Sequence, residues 1–215
     1  DILYNNAGIA LGGPATELAD EDIQKIFKVN VFGHIAATRE FANAIIKAKG
    51  TIVFTSSVAG RAPLPMISLY CSTKAAIDQY AHVLGMELEP FGVKVVSVIT
   101  GGVNTAIGDD GMNDLHRFRG GNYDFPETQI CAEEVALMPR KCPIKVQPEQ
   151  YAERVVNKIT GWWVPLNIYE GGMSWMVNFL GRFSPVWVQR LFLNDFFKFN
   201  LVAAAIRRKL KEKRA

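Results

Sequence analysis

The chain has 215 residues, a length that suits one domain built around a single sizeable hydrophobic core. Hydrophobic residues make up 49% of the chain and charged residues 21%, which is typical of a globular protein and excludes a disordered one. The formal net charge of +3 is too small to indicate a nucleic-acid-binding protein. No run of roughly 18 or more apolar residues occurs, so the sequence predicts no simple membrane span.

The three cysteines, Cys71, Cys131 and Cys142, are widely spaced and form no metal-ligand pattern. A sparse and odd-numbered set favours reduced thiols in a cytosolic setting over a disulfide framework. We therefore expect neither a metal ion nor a disulfide to hold this fold together.

Apolar runs and turn signals alternate along the first 171 residues. Strands are predicted at 1–5, 51–55, 93–99 and 164–171. Helices are predicted from Asp20, as N-cap, to about Lys47 (one helix or a pair in series), from Leu69 to about Leu88, and from Gln147 to about Ile159. This order indicates parallel βαβ units and hence an α/β fold with a doubly wound parallel sheet.

Two later segments depart from this alternation. The segment from about 106 to 146 is long and contains a Gly-Gly pair, so we expect an irregular loop near a substrate. From residue 172 onward Trp, Phe, Leu and Val dominate, and the last nine residues hold six Lys or Arg against one Glu. The chain therefore divides into a sheet-forming domain, 1–171, and an apolar and basic helical extension, 172–215.

A candidate catalytic pair, Tyr70 and Lys74, stands at the start of the second predicted helix. The spacing of four places both side chains on one helix face. An ammonium beside a phenol favours the phenolate, so we expect Lys74 to lower the pKa of Tyr70 from its usual value of about 10. Such a phenol can donate a proton to a carbonyl oxygen or accept one from an alcohol.

The pattern Y-x-x-x-K alone arises often by chance. The presence of Ser57 thirteen residues earlier favours a catalytic role for the pair. Ser57 ends the second predicted strand, and ligands of open α/β sheets bind where the strands end. A turn serine with no chemistry is an equally good interpretation of Ser57 taken alone. Together with Tyr70 and Lys74, its hydroxyl is a candidate for holding a substrate oxygen.

Five short motifs follow one another along the first 105 residues. They are NNAG at 5–8, Asn30 within KVNVFG, SSVAG at 56–60, YCSTK at 70–74 and TGGVNT at 100–105. In this order and spacing they resemble the short-chain dehydrogenase/reductase family, and the resemblance extends to about residue 170. It implies a Rossmann-like sheet and an NAD(P)H-dependent oxidoreductase acting on an alcohol or a carbonyl group.

The resemblance also implies residue roles. Tyr70 would be the general acid or base, and Lys74 would lower its pKa; both would contact the nicotinamide ribose. Ser57 would orient the carbonyl, and the backbone of Asn30 would hold a water in a proton relay, although a helix kink without chemistry is the alternative for Asn30.

The implied cofactor is NADPH. Asn5, Ala7 and Gly8 would pass beneath its adenosine part, and Val103 and Thr105 would meet the nicotinamide and its carboxamide.

Two departures from the family pattern are visible. Thr100 stands where the family usually has Pro, and the Gly-rich turn T-G-x-x-x-G-x-G, with the strand that precedes it, does not occur. We expect the N-terminal βαβαβ portion to lie upstream, so that these 215 residues alone bind cofactor poorly and leave the strand at 1–5 as an unpaired edge. The residues themselves therefore do not distinguish NADPH from NADH.

Several longer stretches, among them FKVNVFGHI, QYAHVLGMELEPFGVKV and ITGGVNT, resemble a fungal subgroup of the family. That subgroup reduces the ketone of 1-acyldihydroxyacetone phosphate with NADPH, which feeds phosphatidate synthesis. The resemblance implies a small lipid substrate and a location on the cytoplasmic face of the endoplasmic reticulum and on lipid droplets.

The extension is compatible with a lipid surface. Aromatic residues dominate 173–197, interrupted by Arg182, Arg190 and Asp195, and cations follow from Arg207 to Arg214. Aromatic residues interleaved with cations suit a helical hairpin lying in a membrane interface. The alternative is that this segment packs over the substrate cleft or forms a contact in a homo-oligomer.

Arg61, His116, Arg117 and Arg119 are candidates for a substrate phosphate, although solvated surface charge is the commoner interpretation of such residues. Three other functions remain open. A 17β-hydroxysteroid or retinol dehydrogenase shares the motifs; a lipid hydrolase would need a G-x-S-x-G motif, which these residues lack; and a non-catalytic lipid-droplet coat would not need the intact Tyr70 set.

Overall fold

The computed structural model describes residues 1–108, 119–144 and 146–213. Its strands are β1 (Ile2–Asn5), β2 (Thr51–Ser57), β3 (Lys94–Thr100) and β4 (Asn167–Glu170). They form one sheet in the order β1-β2-β3-β4, and every pairing is parallel. The predicted α/β fold with a parallel Rossmann-like sheet is thus confirmed.

The helices alternate with these strands and then continue without them. They are α1 (Asp20–Phe27), α2 (Gly33–Ala48), α3 (Ser68–Leu88), α4 (Pro126–Ala136), α5 (Met138–Lys141), α6 (Pro148–Ile159), α7 (Ser174–Phe183), α8 (Val186–Phe196) and α9 (Phe199–Glu212).

Both faces of the sheet are covered, which explains why its strands are continuous apolar runs. On β2, Ile52 and Phe54 pack against α2 and α3, whereas Val53 points to the opposite face and packs beside Val155 of α6. These side chains are fully buried, and each such burial contributes about 1.5–3 kcal/mol. The alternation along β2 therefore produces the doubly wound arrangement.

The register brings the carboxyl ends of the strands together at one edge. Ser57 at the end of β2 pairs with Thr100 at the end of β3, and Thr100 also pairs with Glu170 at the end of β4. In the outer strand β1, the last residue, Asn5, pairs with Phe54 of β2. The loops that follow β1, β2 and β3 therefore meet at this edge of the sheet.

Asp20 is not the N-cap that the sequence predicted. It is the first residue of α1, and Ala19 occupies the cap position without a side-chain hydrogen bond. Asp20, Glu21 and Asp22 instead place three carboxylates in the first turn, where they interact favourably with the helix dipole. The prediction was one residue out because acidic residues suit both positions.

The segment 106–146 is less irregular than predicted, because it contains α4 and α5. Phe125 is extended, and Pro126 then begins α4 with a fixed φ that suits the first helical position. Cys131 and Val135 of α4 are buried against residues of the C-terminal extension. His116 and Arg117 lie outside the described residues, as does Arg214.

The extension is helical, as predicted, and packs on the domain. Phe197 and Val202 are fully buried in a cluster with Val135 of α4 and Met66 of the loop between β2 and α3. Within the described residues, no helix is long and apolar enough to cross a membrane. Cys71, Cys131 and Cys142 are free thiols in this structure.

A close approach between the turn after β2 and helix α3 depends on Gly60. A Cβ placed there would lie 2.8 Å from Ala75 N and 2.8 Å from Lys74 C, both backbone atoms that cannot move aside. By contrast, a Cβ on Gly85 of α3 would meet only Val95 Cβ, at an ordinary contact distance of 3.6 Å. The two glycines offer a matched test of this packing.

We expect Gly60→Ala to lower the free energy of unfolding by about 1–3 kcal/mol, because the turn and α3 would be forced apart. Gly85→Ala should raise it by up to about 1 kcal/mol, since alanine is the better helix former and has room. Urea denaturation of the complete protein measures both. Equal denaturation midpoints for the two variants would contradict the close packing of this turn on α3.

Candidate active site

The first element of the site is a π-helical turn, Lys28–Phe32, between α1 and α2. It carries Asn30, which is fully buried. The Asn30 side chain accepts from Ile9 N at 2.8 Å and donates to Ile9 O at 2.8 Å, and it also donates to Thr73 Oγ1 at 3.1 Å. It therefore fastens the loop after β1 to helix α3. A π turn is rare and is often found at functional sites.

Ser57 caps the short 3₁₀ turn Val58–Gly60 that follows β2. Its Oγ accepts from Ala59 N at 3.1 Å, which leaves its own proton free to donate. Ser57 lies near enough to Tyr70 to lower the pKa of the phenol, which favours the phenolate. The side chains of Ser57 and Tyr70 are therefore neighbours, and their joint action on a substrate oxygen stays a prediction.

Lys74 lies one turn of α3 beyond Tyr70 and is almost fully buried. Its ammonium donates to Thr55 O on β2 at 2.8 Å and lies 5.7 Å from the centroid of the Tyr70 ring. Ser56 Oγ in turn donates to Lys74 O at 3.2 Å, so β2 binds both ends of this residue. The ammonium is held rigidly between strand and helix.

The pKa of Tyr70 is raised, whereas the sequence predicted that Lys74 would lower it. Burial raises the pKa of Tyr70 to about 12, and the hydrogen bond from Ser57 only partly offsets this rise. Lys74 does not lower the Tyr70 pKa below 10 in this arrangement, because desolvation of the phenolate dominates. Burial also lowers the pKa of Lys74, to about 8. At neutral pH the site thus holds a protonated phenol beside an ammonium.

The loop after β1 lies against this pair. Asn5 is buried and donates to Thr38 Oγ1 at 3.3 Å, and Ala7 O accepts from His34 Nε2 at 2.8 Å. A Cβ on Gly8 would lie 3.5 Å from Lys74 Nζ, so the backbone of Gly8 passes directly beside the ammonium. The structure therefore brings the predicted cofactor residues of this loop next to the predicted catalytic lysine.

Val103 and Thr105 follow β3 at the same edge of the sheet. Val103 is buried, whereas Thr105 is exposed and its backbone N–H donates to Val103 O at 2.9 Å. Their predicted contacts with a nicotinamide stay predictions.

Of the phosphate candidates, Arg61 is occupied by other groups. Its guanidinium pairs with Asp78 and donates to Asn178, so it is not free to bind a substrate phosphate. Arg119 is exposed on the turn before α4.

Three residues with roles in the site escaped the sequence prediction. Thr55 contributes a backbone carbonyl, for which side-chain identity gives no signal. Thr73 lies inside the YCSTK motif and accepts from Asn30. His34 lies four residues after Asn30, which is a helical spacing that could have indicated it.

His34 is a buried, neutral imidazole. Burial lowers its pKa, and the nearby Lys74 ammonium lowers it further. Its Nδ1 atom finds no partner among the described residues, while Nε2 holds the loop after β1.

Comparison with known proteins gives a consistent match. A family model described as short chain dehydrogenase matches residues 1–114. The NADPH-dependent 1-acyldihydroxyacetone phosphate reductase of Saccharomyces cerevisiae is 38% identical over 216 residues, which cover 99% of this chain and 70% of that protein. The protein of the same name from Schizosaccharomyces pombe is 43% identical over 199 residues, covering 86% of this chain.

The chain spans 65% of the length of the Schizosaccharomyces pombe protein. Among solved structures, a short-chain dehydrogenase from Streptomyces avermitilis superposes with a TM-score of 0.69 at 24% identity. The match covers 93% of this chain and 69% of that one, and it shows the shared fold.

The buried ammonium generates a stability prediction. Because the Lys74 pKa is about 8 when folded and about 10.4 in an unfolded chain, the unfolded chain binds more protons between these values. The stability of the protein contributed by this group therefore rises with pH through that window. Lys74→Met removes the buried charge and the bond to Thr55. At pH 7 we expect its free energy of unfolding to be about 1–2 kcal/mol higher than that of the wild type.

This advantage of Lys74→Met should shrink as the pH rises from about 8 to about 10.4. Urea denaturation of the complete protein at several pH values measures it, with Lys94→Met as the control because Lys94 is exposed. A difference between Lys74→Met and wild type that does not change with pH would show that the ammonium is not desolvated.

Proposed function

This chain belongs to the short-chain dehydrogenase/reductase family of NAD(P)H-dependent oxidoreductases, and we propose that the protein reduces the ketone of 1-acyldihydroxyacetone phosphate with NADPH. The product is 1-acylglycerol 3-phosphate, a precursor of phosphatidate. The observation that carries the proposal is the position of the Lys74 ammonium, 5.7 Å from the centroid of the Tyr70 ring and beside the strand that ends in Ser57.

The protonation state of Tyr70 supports the direction of reduction. With its pKa raised to about 12, the phenol keeps its proton throughout the physiological range. A general acid requires that proton, whereas an alcohol oxidation would require the phenolate. Tyr70 accordingly donates its proton to the ketone oxygen, and Ser57 stabilises the same oxygen by a hydrogen bond as negative charge develops on it.

Lys74 stabilises the phenolate that remains after proton transfer. Its ammonium lies close enough to the Tyr70 ring for Coulomb attraction, and its pKa of about 8 keeps it charged at neutral pH. The role of the Asn30 backbone in a water relay stays a proposal. The Asn30 side chain contributes by joining Ile9 to Thr73, which aligns the loop after β1 with the helix of Tyr70 and Lys74.

The site fits a nicotinamide cofactor. When bound, the nicotinamide supplies the hydride for the carbonyl carbon. Lys74 has three N–H donors and bonds only Thr55 O in the described part of the chain, so donors remain for a ribose hydroxyl beside Gly8. Asn5, Ala7 and Gly8 would support the adenosine side, and Val103 and Thr105, at the end of β3, would meet the nicotinamide.

The choice of substrate and of NADPH is supported by the relatives. The two yeast proteins are both named as NADPH-dependent 1-acyldihydroxyacetone phosphate reductases, and the match to the first covers nearly the whole chain. An apolar cluster adjoins the phenol: Leu64, Ile67, Phe197 and Val202 belong to it, and Tyr70 packs against it. This environment is compatible with the acyl chain of such a substrate.

We also propose that the extension rests on the cytoplasmic surface of the endoplasmic reticulum and of lipid droplets. Trp175 of α7 and Trp187 of α8 are each 66% exposed, together with Phe179, Phe183 and other apolar side chains of these helices. Exposed tryptophans beside cations favour an interface between water and lipid.

Helix α9 supplies the basic residues for this surface. Arg207, Lys211 and Lys213 are exposed near its end, whereas Arg208 pairs with Glu127 at 3.3 Å. Each cation near an anionic lipid surface contributes about 1 kcal/mol. Homo-oligomer formation stays a prediction.

Tyr70→Phe tests the reductase proposal. Removal of the acid should lower kcat/KM for 1-acyldihydroxyacetone phosphate by about 10²–10⁴-fold, a far larger effect than the weakening of NADPH binding through the lost ribose contact. Stopped-time assays of NADPH oxidation and fluorescence titration measure the two quantities in the complete protein.

The same assay is run with a steroid ketone and with retinal. Turnover of either compound by the wild type without turnover of 1-acyldihydroxyacetone phosphate would contradict the proposed substrate and favour a steroid or retinol dehydrogenase. Undiminished reduction by Tyr70→Phe would contradict the proposed mechanism.

A vesicle assay tests the location. The double variant Trp175→Ser and Trp187→Ser should cosediment with phosphatidylcholine vesicles containing phosphatidylserine at least about tenfold more weakly than the wild type. Trp162→Ser is the matched control, because Trp162 is 96% exposed but lies outside the extension. Equal binding by all three proteins would contradict the proposed lipid-binding surface.

A further inference from the structure

A largely buried ion pair joins Arg61, which follows the turn after β2, to Asp78, which lies one turn after Lys74 on α3. Arg61 Nη2 contacts Asp78 Oδ2 of α3 at 2.8 Å, and the two side chains are only 13% and 12% exposed. Asp78 Oδ1 in turn accepts from Ser97 Oγ of β3 at 2.6 Å. One end of the Arg61 guanidinium is thus anchored to the helix and the sheet that carry the site.

The other end of the same guanidinium reaches the C-terminal extension. Arg61 Nη1 donates to Asn178 Oδ1 of α7 at 2.6 Å, across 117 positions of sequence. The backbone is equally close: a Cβ on Gly181 of α7 would lie 2.5 Å from Arg61 O. Helix α7 therefore lies directly on Arg61, and an arginine fork is suited to join the two partners because it has separate donors in a fixed plane.

Arg61 also ends the turn that presents the Ser57 hydroxyl. Arg61 N donates to Val58 O at 3.0 Å, and Ser57 Oγ accepts from Ala59 N within the same turn. A shift of Arg61 would move this turn as a unit and with it the hydroxyl of Ser57. The position of that hydroxyl relative to Tyr70 decides whether both can meet one ketone oxygen.

We propose that Arg61 is a positioning residue that couples helix α7 to the orientation of Ser57. The extension would then form part of the catalytic framework in addition to meeting a lipid surface. This role rests on the proposed reductase function, because Ser57 matters only where a carbonyl oxygen is held. Small misplacements of reacting groups have large effects on rate, since about 1 Å can cost about 100-fold.

Two substitutions of Asn178 in the complete protein with NADPH separate positioning from simple packing. Asn178→Leu keeps the size of the side chain and removes the acceptor, whereas Asn178→Asp keeps an acceptor oxygen for Arg61. We expect Asn178→Leu to lower kcat for the ketone at least about tenfold while KM for NADPH stays within about twofold. Asn178→Asp should stay within about threefold of the wild type in both quantities.

Asn200→Leu is the matched control, since Asn200 lies on α9 of the same extension and bonds Asp195 at the surface. It should behave as the wild type. Equal kcat for Asn178→Leu and the wild type would overturn the proposal. Equal losses in both Asn178 variants would also overturn it, because a retained acceptor would then bring no rescue.

Amide hydrogen exchange supplies a readout that does not depend on the substrate. Asn178→Leu should speed exchange at least about tenfold in the turn 58–61 and in α7, and unchanged exchange there would overturn the coupling. The kinetic comparison is made on whichever ketone the wild type reduces. A result in which 1-acyldihydroxyacetone phosphate is not reduced would therefore be distinguished from a result in which Arg61 does not position Ser57.

Discussion

The arrangement depends on one buried charge, the Lys74 ammonium held beneath Thr55 O at 2.8 Å. An amine in this position costs stability, because burial opposes its charged form. The backbone of Gly8 lies close to the ammonium, and Gly60 lies against the backbone of Lys74, so that a side chain at Gly60 would force the turn after β2 away from α3. The same charge lies 5.7 Å from the centroid of the Tyr70 ring, where it would stabilise the phenolate that the proposed proton transfer leaves.

Holding the Lys74 ammonium in place requires groups from several elements of the fold. Strand β2 supplies the carbonyl that holds Lys74 and the hydroxyl of Ser57, and α3 supplies Tyr70 and Lys74 at helical spacing. The π-helical turn at Asn30 fixes the loop after β1 against that helix. Arg61 then extends the connection to α7. A rigid set of donors that is formed before the reaction begins is what a proton-transfer site needs.

Much of this could be predicted from the sequence, because the motifs encode local geometry. The parallel sheet follows from apolar runs such as 51–55, and the same patterns place Ser57 at the end of a strand and Tyr70 near the start of a helix. The helix α4 was missed because its buried side depends on the extension, a tertiary contact without local periodicity. The pKa of Tyr70 was predicted in the wrong direction, since pairwise spacing reveals a neighbouring charge but not the loss of water.

In the proposed reaction, a protonated Tyr70 and a bound nicotinamide act together on one ketone. The most direct measurement is a single turnover of the complete protein with 1-acyldihydroxyacetone phosphate and NADPH that carries deuterium in both positions at C4, followed by mass spectrometry of the product. We expect deuterium on the central carbon of the glycerol unit with the wild type and almost none with Tyr70→Phe in the same time. Reduction without deuterium transfer, or equal transfer by both proteins, would contradict the proposed reaction.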